Sequence, residues 1–226
     1  MDEEEQEMKG VKTSKRCLVV YPWMKFGYVF VSDLRLGESQ NFLREEQKKV
    51  EAYIKTDLEA LSARAKSISR FYKAQGEKNR SHIESLLKSI ANGKSIKPVN
   101  EIVDSVMIAE LRNALLLGVH DLDRIRGNVV VDVAAEGERF LGIGDRSIVT
   151  RTNEVVLRDD SGIWASYTQG PDARTVVDAN TRNVMILGFF TPEISQEIMV
   201  QGIQDAVETM MKAAGGKAGE IKIIPA

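Results

Sequence analysis

The stretch between residues 118 and 190 consists of short segments that resemble β-strands, with no helical segment between them. These segments are rich in β-branched and aromatic residues and are bounded by turn residues, as at 159–162. A parallel sheet of the alternating kind would require helical patterns between its strands. The block therefore excludes a simple parallel sheet. Its candidate strands are residues 128–133, 138–143, 148–151, 155–157, 163–166, 174–177 and 183–187.

Helical patterns flank this block on both sides. From about residue 38 to residue 117, apolar residues recur at helical spacings, which predicts a long helix or a broken pair and then two shorter helices. Ser81 and Glu84 form a capping-box pattern at the start of one of these. Pro192 predicts the first turn of a final helix over about 192–213. Residues 17–32 predict two short strands joined by a turn, so the fold class is α+β.

These elements fit one domain over residues 16–214. The acidic residues 1–15 lack apolar periodicity and predict a disordered lead-in, and residues 215–226 form a tail. No apolar run approaches the roughly 20 residues of a membrane span, and the acidic start is unlike a secretory signal. The single cysteine, Cys17, excludes an internal disulfide and is interpreted as a small buried strand residue. We therefore expect a cytoplasmic protein without a membrane association.

Charge is unevenly distributed, although the formal net charge is only -2. Residues 64–97 contain nine basic and two acidic residues, whereas residues 98–226 contain twelve basic and nineteen acidic ones. A basic segment that also carries Phe71 and Tyr72 suggests contact with phosphates and stacking on a base. The alternative is the solvated face of helices that pack on the body of the protein. Charge alone does not separate the two.

Sequence motifs give little support to a metal or cofactor site. With two histidines, one cysteine and no closely spaced ligand cluster, a metal site is not expected. Gly93-Lys94-Ser95 is not a phosphate-binding loop because Lys88 occupies the position that requires glycine. Gly142 and Gly144 predict a hairpin turn. We predict no cofactor.

One of the two histidines, His120, is a candidate proton-transfer group. His120 has a side chain suited to general-base catalysis, and Asp121 follows it directly. Neighbours along a strand point to opposite faces, so Asp121 is not expected to orient His120. His82 lies beside the capping serine, which indicates an exposed or cap-associated role.

Several segments, read in order, resemble a known family. Together they are similar to the editing domain formed by the third and fourth modules (B3/B4) of the phenylalanyl-tRNA synthetase β subunit, and especially to free-standing proteins made of that domain alone. The resemblance extends from about residue 17 to residue 213. The segments are ISRFYK (68–73), SLLKSI (85–90), GKSIKPVNEIVD (93–104), LGVHDLDRIRG (117–127), EGERFLGIG (136–144), NEVVLRDD (153–160) and NTRNV (180–184).

The resemblance implies a three-layer α+β domain around a β-sandwich of unusual topology, with helices before it and one helix after it. It also implies tRNA or aminoacyl-tRNA as the partner. In the synthetase, this domain hydrolyses the ester of tyrosine wrongly attached to the phenylalanine tRNA. The synthetase core motifs are missing, so this chain is not expected to be a ligase by itself.

Departures from the family pattern fall at polar positions of the pocket. Val106 and Met107 stand where the family has Thr-Asn, and Gly118 stands where it has a pocket histidine. The glutamate that recognises the tyrosine hydroxyl falls on Leu187. A pocket that recognises a hydroxyl by a buried hydrogen bond favours that substrate over one without the hydroxyl by about 10⁴- to 10⁵-fold. A pocket with an apolar wall distinguishes similar side chains only by tens- to hundreds-fold. An apolar aminoacyl ester is therefore the expected substrate.

Three hypotheses remain open: an aminoacyl-tRNA deacylase, a non-catalytic tRNA-binding or interaction module with the same fold, and a binder of a small metabolite. The sequence does not indicate an oligomeric state. Candidate catalytic residues are His120, Asp172 and Arg174. Candidate substrate-pocket residues are Asn100, Met107, Leu116, Gly118, Thr168, Gln169 and Leu187. Candidate tRNA-binding residues are Arg64, Lys66, Arg70 and Lys73.

Overall fold

The computed structural model describes residues 10–37 and 40–225. Five α-helices, twelve strands and one 3-10 turn at Leu122–Arg124 lie in this part of the chain. The helices are α1 (Lys15–Val20), α2 (Gln40–Ala74), α3 (His82–Ala91), α4 (Glu101–Asn113) and α5 (Gln196–Ala214). Helix α2 has a kink at Asp57, where the backbone angles (φ -114°, ψ 21°) are not helical. The sequence predicted a long helix or a broken pair, and the structure has a long helix interrupted by this kink.

Twelve strands form two larger sheets and one hairpin. Sheet A has the order β1 (Val11–Thr13), β4 (Val129–Val133), β7 (Val155–Asp159), β8 (Gly162–Ser166), β9 (Gly170–Pro171). Sheet B has the order β11 (Lys217–Ala218), β2 (Lys25–Ser32), β10 (Val184–Phe189), β3 (Leu117–Asp121), and β12 (Lys222–Pro225) also pairs with β2. The hairpin consists of β5 (Arg139–Gly142) and β6 (Arg146–Val149).

Sheet B lies between sheet A and the helices α4 and α5, which gives a three-layer arrangement. Glycines allow the close approach of α5, because a Cβ on Gly27 would lie 2.7 Å from Ile203 Cδ1 and one on Gly188 would lie 2.3 Å from Met199 Sδ. On the other face, the His120 ring meets Trp164 of sheet A. The buried apolar faces of both sheets form the main core. The α+β class predicted from the sequence is confirmed.

The ends of the domain differ from the sequence predictions. Residues 1–9 of the predicted lead-in lie outside the described residues, but Val11–Thr13 pairs in parallel with β4. The predicted tail 215–226 supplies β11 and β12, both paired with β2. Short segments of this kind have little local signal, because their pairing partners are remote in sequence.

Three local predictions were wrong. Residues 17–32 contain α1 followed by one strand rather than two strands, since Ser14 caps α1 by accepting a hydrogen bond from the Cys17 N–H. Cys17 is buried as expected, but in a helix, and burial raises the pKa of its thiol to about 11. Residues 174–177 form no strand. The last helix begins at Gln196, after the cap Ser195, and not at Pro192.

Among the helices in the described part of the chain, none combines the length and the apolar composition needed to cross a bilayer.

Candidate active site

A cavity of about 510 Å³ opens where the edges of the two sheets meet. Strand β3 is the edge of sheet B and β9 is the edge of sheet A, and residues of both strands line the cavity. The segment between α2 and α3 and the β5–β6 turn complete its wall. The cavity is lined by Tyr72, Glu77, Asn79, Arg80, His82, Leu116, Leu117, Gly118, His120, Arg146, residues 165–171, Leu187 and Phe189.

The floor of the cavity is apolar. Gly118 of β3 pairs directly with Leu187 of β10, so the two residues share the face that points towards sheet A. A Cβ on Gly118 would lie 3.1 Å from Leu187 Cδ1 and 3.5 Å from His120 Nε2. The missing side chain therefore leaves space beside the imidazole. Leu116 and Phe189 extend this apolar surface.

His120 is held by a relay through Thr175 to Asp172. The Thr175 hydroxyl donates to Asp172 Oδ1 at 2.6 Å, and His120 Nδ1 lies 2.9 Å from the same hydroxyl. A carboxylate only accepts and a hydroxyl carries one proton, so Thr175 must accept from His120 Nδ1–H. His120 Nε2 is then unprotonated, and this nitrogen has no hydrogen-bond partner among the described residues.

The environment of His120 keeps it neutral. Burial lowers the pKa of its imidazole to about 3, and the Trp164 ring packs edge-on at a centroid distance of 4.6 Å. A neutral imidazole of this basicity accepts a hydrogen bond at neutral pH but does not take up a proton. Its geometry suits the orientation of a water molecule or of a ligand donor.

Asp172 and Arg174 do not line this cavity. The Arg174 guanidinium binds both oxygens of buried Asp159, at 2.9 and 3.1 Å, and its Nε lies 3.4 Å from Asp172. Both residues border a separate depression beside β5. Asp172 reaches the cavity only through Thr175 and His120. Arg174 fits a structural role that fixes the segment after β9.

Two other expected pocket residues lie elsewhere. Asn100 is the N-cap of α4, and its side-chain oxygen accepts a hydrogen bond from the Val103 N–H at 2.9 Å. Met107 packs on a second core formed by α2, α3 and α4. Helix α4 turns these side chains away from sheet A. The structure therefore brings together only part of the predicted pocket, namely Leu116, Gly118, His120, Thr168, Gln169 and Leu187.

Thr168 and Gln169 lie on the turn between β8 and β9. Buried Glu154 accepts a hydrogen bond from the Thr168 hydroxyl at 2.8 Å and another from Ser166. The Ser166 hydroxyl in turn accepts from the Gln169 backbone N–H at 3.0 Å. These bonds shape the turn and occupy the Thr168 hydroxyl. The side chain of Gln169 has no hydrogen-bond partner within the described ranges and lines the cavity.

His82 also lines the cavity, and buried Glu110 lies behind it, but the two were not predicted as a site. His82 Nε2 lies 3.3 Å from Glu110 Oε1, which also accepts a hydrogen bond from the Leu117 N–H at 2.9 Å. The imidazole is half exposed, whereas Glu110 is buried. Desolvation opposes protonation, but the charge of Glu110 and the hydrogen bond to it prevail and raise the pKa of His82. No local pattern joins two residues on different helices, so the sequence carried no signal for this pair.

The predicted tRNA-binding residues divide into two groups. Lys66, Arg70 and Lys73 are exposed on one face of α2, and Arg70 pairs with Glu193 at 2.8 Å. Arg64 instead donates to the carbonyl of Asn113 at the end of α4. Phe71 and Tyr72 are buried, with rings packed on Tyr167 at 5.0 and 5.2 Å, so they are not exposed for stacking on a base.

No three His, Cys, Asp or Glu side chains within residues 10–37 and 40–225 come together in an arrangement able to hold a metal ion.

The family model described as the B3/4 domain matches residues 67–212, which is more than half of the chain. The chain belongs to the B3/4 domain family. The matched region contains α3 to α5 and nearly all strands that surround the cavity. This membership confirms the resemblance inferred from the sequence.

Named relatives of this B3/4 domain agree with that result. It is 32% identical over 98 residues to the phenylalanine–tRNA ligase beta subunit of Mycoplasma genitalium, covering 43% of this chain and 12% of the relative. It is 21% identical over 174 residues to the same subunit of Mesorhizobium japonicum, covering 62% of this chain and 22% of the relative. The chain thus spans only a small part of the curated relatives that it matches.

A solved structure shows the same fold. The N-terminal fragment of the phenylalanyl-tRNA synthetase beta-subunit from Pyrococcus horikoshii aligns with a TM-score of 0.53 and 14% identity. The alignment covers 97% of this chain and 55% of the fragment. The likeness therefore includes the N-terminal elements that precede the matched family region.

Proposed function

We propose that this B3/4 domain binds the aminoacyl end of a tRNA and hydrolyses the ester of an apolar amino acid. The observation that carries the proposal is the cavity between β3 and β9, whose floor is apolar at Gly118 and Leu187 and whose polar groups converge from the wall. An apolar floor has no partner for a side-chain hydroxyl, and an unpaired buried hydroxyl is unfavourable. A small or medium apolar side chain therefore suits this floor.

Charge at the cavity mouth supports a nucleic-acid ligand. Arg80 and Arg146 are exposed and line the cavity. The charge of Arg80 also acts on Glu84 of α3. Helix α2, with Lys66, Arg70 and Lys73, ends just before the cavity wall. A phosphate backbone that followed this basic side would bring its terminal ribose to the cavity.

Unpaired polar groups in the wall fit the backbone atoms of an aminoacyl ester. The side-chain amide of Gln169, a lining residue, has no hydrogen-bond partner in the described part of the chain and is available to donate to a carbonyl. His120 Nε2 is available as an acceptor for the amino group or for water. Together they would orient an ester that is already activated, so positioning contributes a large share of the rate.

The test is a deacylation screen of the purified protein over all aminoacyl-tRNAs, with the variant Gly118→Ala beside the wild type. Its methyl group narrows the floor beside Leu187. One methylene changes the relative rate for two substrates by roughly 10–200-fold. The variant should therefore favour aminoacyl esters with smaller side chains by a factor of that order. Gly219→Ala is the matched control, because Gly219 does not line the cavity and its new Cβ would meet only the carbonyl oxygen of Phe30, at 3.4 Å. Wild-type protein that hydrolyses no ester contradicts the proposal, and a preference for tyrosyl-tRNA contradicts the apolar substrate.

A non-catalytic tRNA-binding module is the second candidate. It is favoured by the engagement of Asp172 and Arg174 in ion pairs and by the low basicity of His120. Binding of uncharged and charged tRNA without release of the amino acid would establish this candidate. A protein that binds neither form of tRNA would favour the small-metabolite binder.

A further inference from the structure

The pair formed by His82 and Glu110 has the arrangement of an oriented proton-transfer group. Glu110, on the last turns of α4, is buried and fixed by the Leu117 N–H at 2.9 Å. It accepts a hydrogen bond from His82 Nε2 at 3.3 Å. The other ring nitrogen, Nδ1, has no hydrogen-bond partner among the residues described and therefore remains available. A carboxylate that holds one nitrogen determines which tautomer the imidazole adopts.

The position of His82 makes this nitrogen accessible to a ligand. His82 is the first residue of α3, its side chain is 48% exposed, and it lines the cavity. Other titratable or charged side chains face the same space from each neighbouring element: Tyr72 from α2, Glu77 and Arg80 from the connection to α3, His120 from β3 and Arg146 from the β5–β6 turn. Glu77 is paired with Arg151 at 3.0 Å, so Glu110 is the carboxylate that contacts His82.

We propose that His82, oriented by Glu110, is the general base and then the general acid of this cavity, and this inference rests on the proposed deacylase function. His82 Nδ1 takes a proton from water as the water oxygen bonds to the ester carbonyl carbon. The bond between that carbon and the ribose oxygen then breaks. The ribose oxygen receives the proton from His82 Nδ1, and the products are the free amino acid and a tRNA with a free hydroxyl.

His82 suits this step better than His120 does. The carboxylate of Glu110 stabilises the imidazolium of His82, whereas His120 is buried without a carboxylate in direct contact. A general base is most effective when its basicity lies near the working pH. His82 is thus the catalytic residue in this proposal, Glu110 is a positioning residue, and His120 orients the ligand.

The experiment measures the rate of deacylation against pH for the wild type, His82→Ala, Glu110→Gln and Ser85→Ala. Loss of a general base lowers the rate by about 10²–10⁴-fold, and His82→Ala should also lose the acidic limb of the profile. Glu110→Gln keeps an acceptor for the Leu117 N–H but removes the charge. It should therefore shift the acidic limb to lower pH, which a purely structural role would not do. Ser85→Ala changes the next exposed position of α3 and should leave the profile unchanged.

The outcomes separate this inference from the proposed function. A wild type that hydrolyses no aminoacyl-tRNA overturns both. An active wild type whose rate and profile persist in His82→Ala overturns the role of His82 alone. Urea midpoints of all variants identify any loss of folding, and Glu110→Gln, as the conservative change, tests the pair if His82→Ala is poorly folded. If the Glu110→Gln variant is folded and active and the acidic limb of its pH–rate profile is not shifted, the positioning role of Glu110 is overturned.

Discussion

His82 and His120 line the same cavity, yet their pKa values shift in opposite directions. Desolvation lowers the pKa of both imidazoles, but for His82 the charge of Glu110 and the hydrogen bond to it outweigh this effect and raise the pKa, whereas the pKa of His120 is lowered to about 3. His120 contacts a hydroxyl, and the carboxylate of Asp172 lies one bond further along the relay. The identity of the group in contact, rather than the residue type, therefore decides in which direction the pKa of each imidazole moves.

The buried state of His120 predicts a loss of stability in acid. An unfolded histidine binds a proton near pH 6.5, while the folded one remains neutral to about pH 3. The unfolded state thus binds more protons between these values, so the free energy of unfolding falls as pH falls below about 6.5. The slope from this residue is about 1.4 kcal/mol per pH unit. Urea unfolding of the wild type and His120→Gln at pH 7.5 and 5.0 measures it.

The variant should show a smaller decrease than the wild type, because its other titrating groups are the same. His82→Gln is the control with the opposite sign. In the wild type, the raised folded-state pKa of His82 adds to the free energy of unfolding below about pH 6.5. This contribution is lost as pH rises through the folded-state pKa. Equal pH slopes for the wild type and His120→Gln would contradict the assignment.

At the level of helices and strands, side-chain caps set several boundaries. Ser14, Ser81, Asn100 and Ser195 each accept a hydrogen bond from a backbone N–H in the first turn of the helix that follows. The capping box at Ser81 is only half formed, because the Ser81 N–H donates to Ser69 of α2 instead of to Glu84. This bond joins α3 to α2 and so helps to place His82 at the cavity.

The cap of α4 provides a test that separates stability from function. Replacement Asn100→Ala removes the acceptor for the Val103 N–H and should lower the free energy of unfolding by about 0.5–2 kcal/mol. Asn100→Ser should restore most of it. Because Asn100 lies outside the cavity, selectivity in the deacylation screen should not change. Altered selectivity in a folded Asn100→Ala protein would show that Asn100 contributes to the substrate pocket.

At the scale of the whole molecule, exposed basic residues contrast with the apolar floor of the cavity. Two separate groups are available to meet a phosphate backbone, the α2 face (Lys66, Arg70, Lys73) and the cavity mouth (Arg80, Arg146). The α2 face is partly neutralised by the pair between Arg70 and Glu193. At the mouth, Arg80 acts on Glu84 only through its charge, without the direct contact that joins Arg70 to Glu193. The two mouth arginines are therefore expected to contribute more per residue.

Reversal of charge distinguishes the two groups. Each lost phosphate contact should weaken tRNA binding and reduce the slope of log affinity against log salt by about 1. Arg80→Glu with Arg146→Glu should therefore reduce the slope by about 2. Lys66→Glu with Lys73→Glu is compared with this pair, and Lys222→Glu on β12 is the control at a distant exposed site. Fluorescence anisotropy with labelled tRNA gives these slopes, and unchanged slopes for both groups would exclude tRNA recognition by this side.

The extent to which the site was predictable differs from residue to residue. Gly118 and Leu187 were identified because the family pattern has polar residues at these two positions. In the structure the two residues pair directly across β3 and β10. Asn100 and Met107 were predicted from the same family pattern, but in the structure they lie outside the cavity. Asn100 caps α4, and Met107 packs on the helical core. Tyr167, Arg80 and Glu110 carried no motif, and only the approach of separate elements shows that Tyr167 and Arg80 line the cavity and that Glu110 contacts His82.

Residue order alone was sufficient for the α+β class, helices α2 to α5 and most strands of the 118–190 block, because periodicity and capping act within a few residues along the chain. Tertiary structure decided the pairing of β1 with β4, the addition of residues 217–225 to β2, and the meeting of His82 with Glu110. Such contacts join segments far apart in sequence. Their stability comes from burial and hydrogen bonds that exist only once the layers have packed, so no local pattern encodes them.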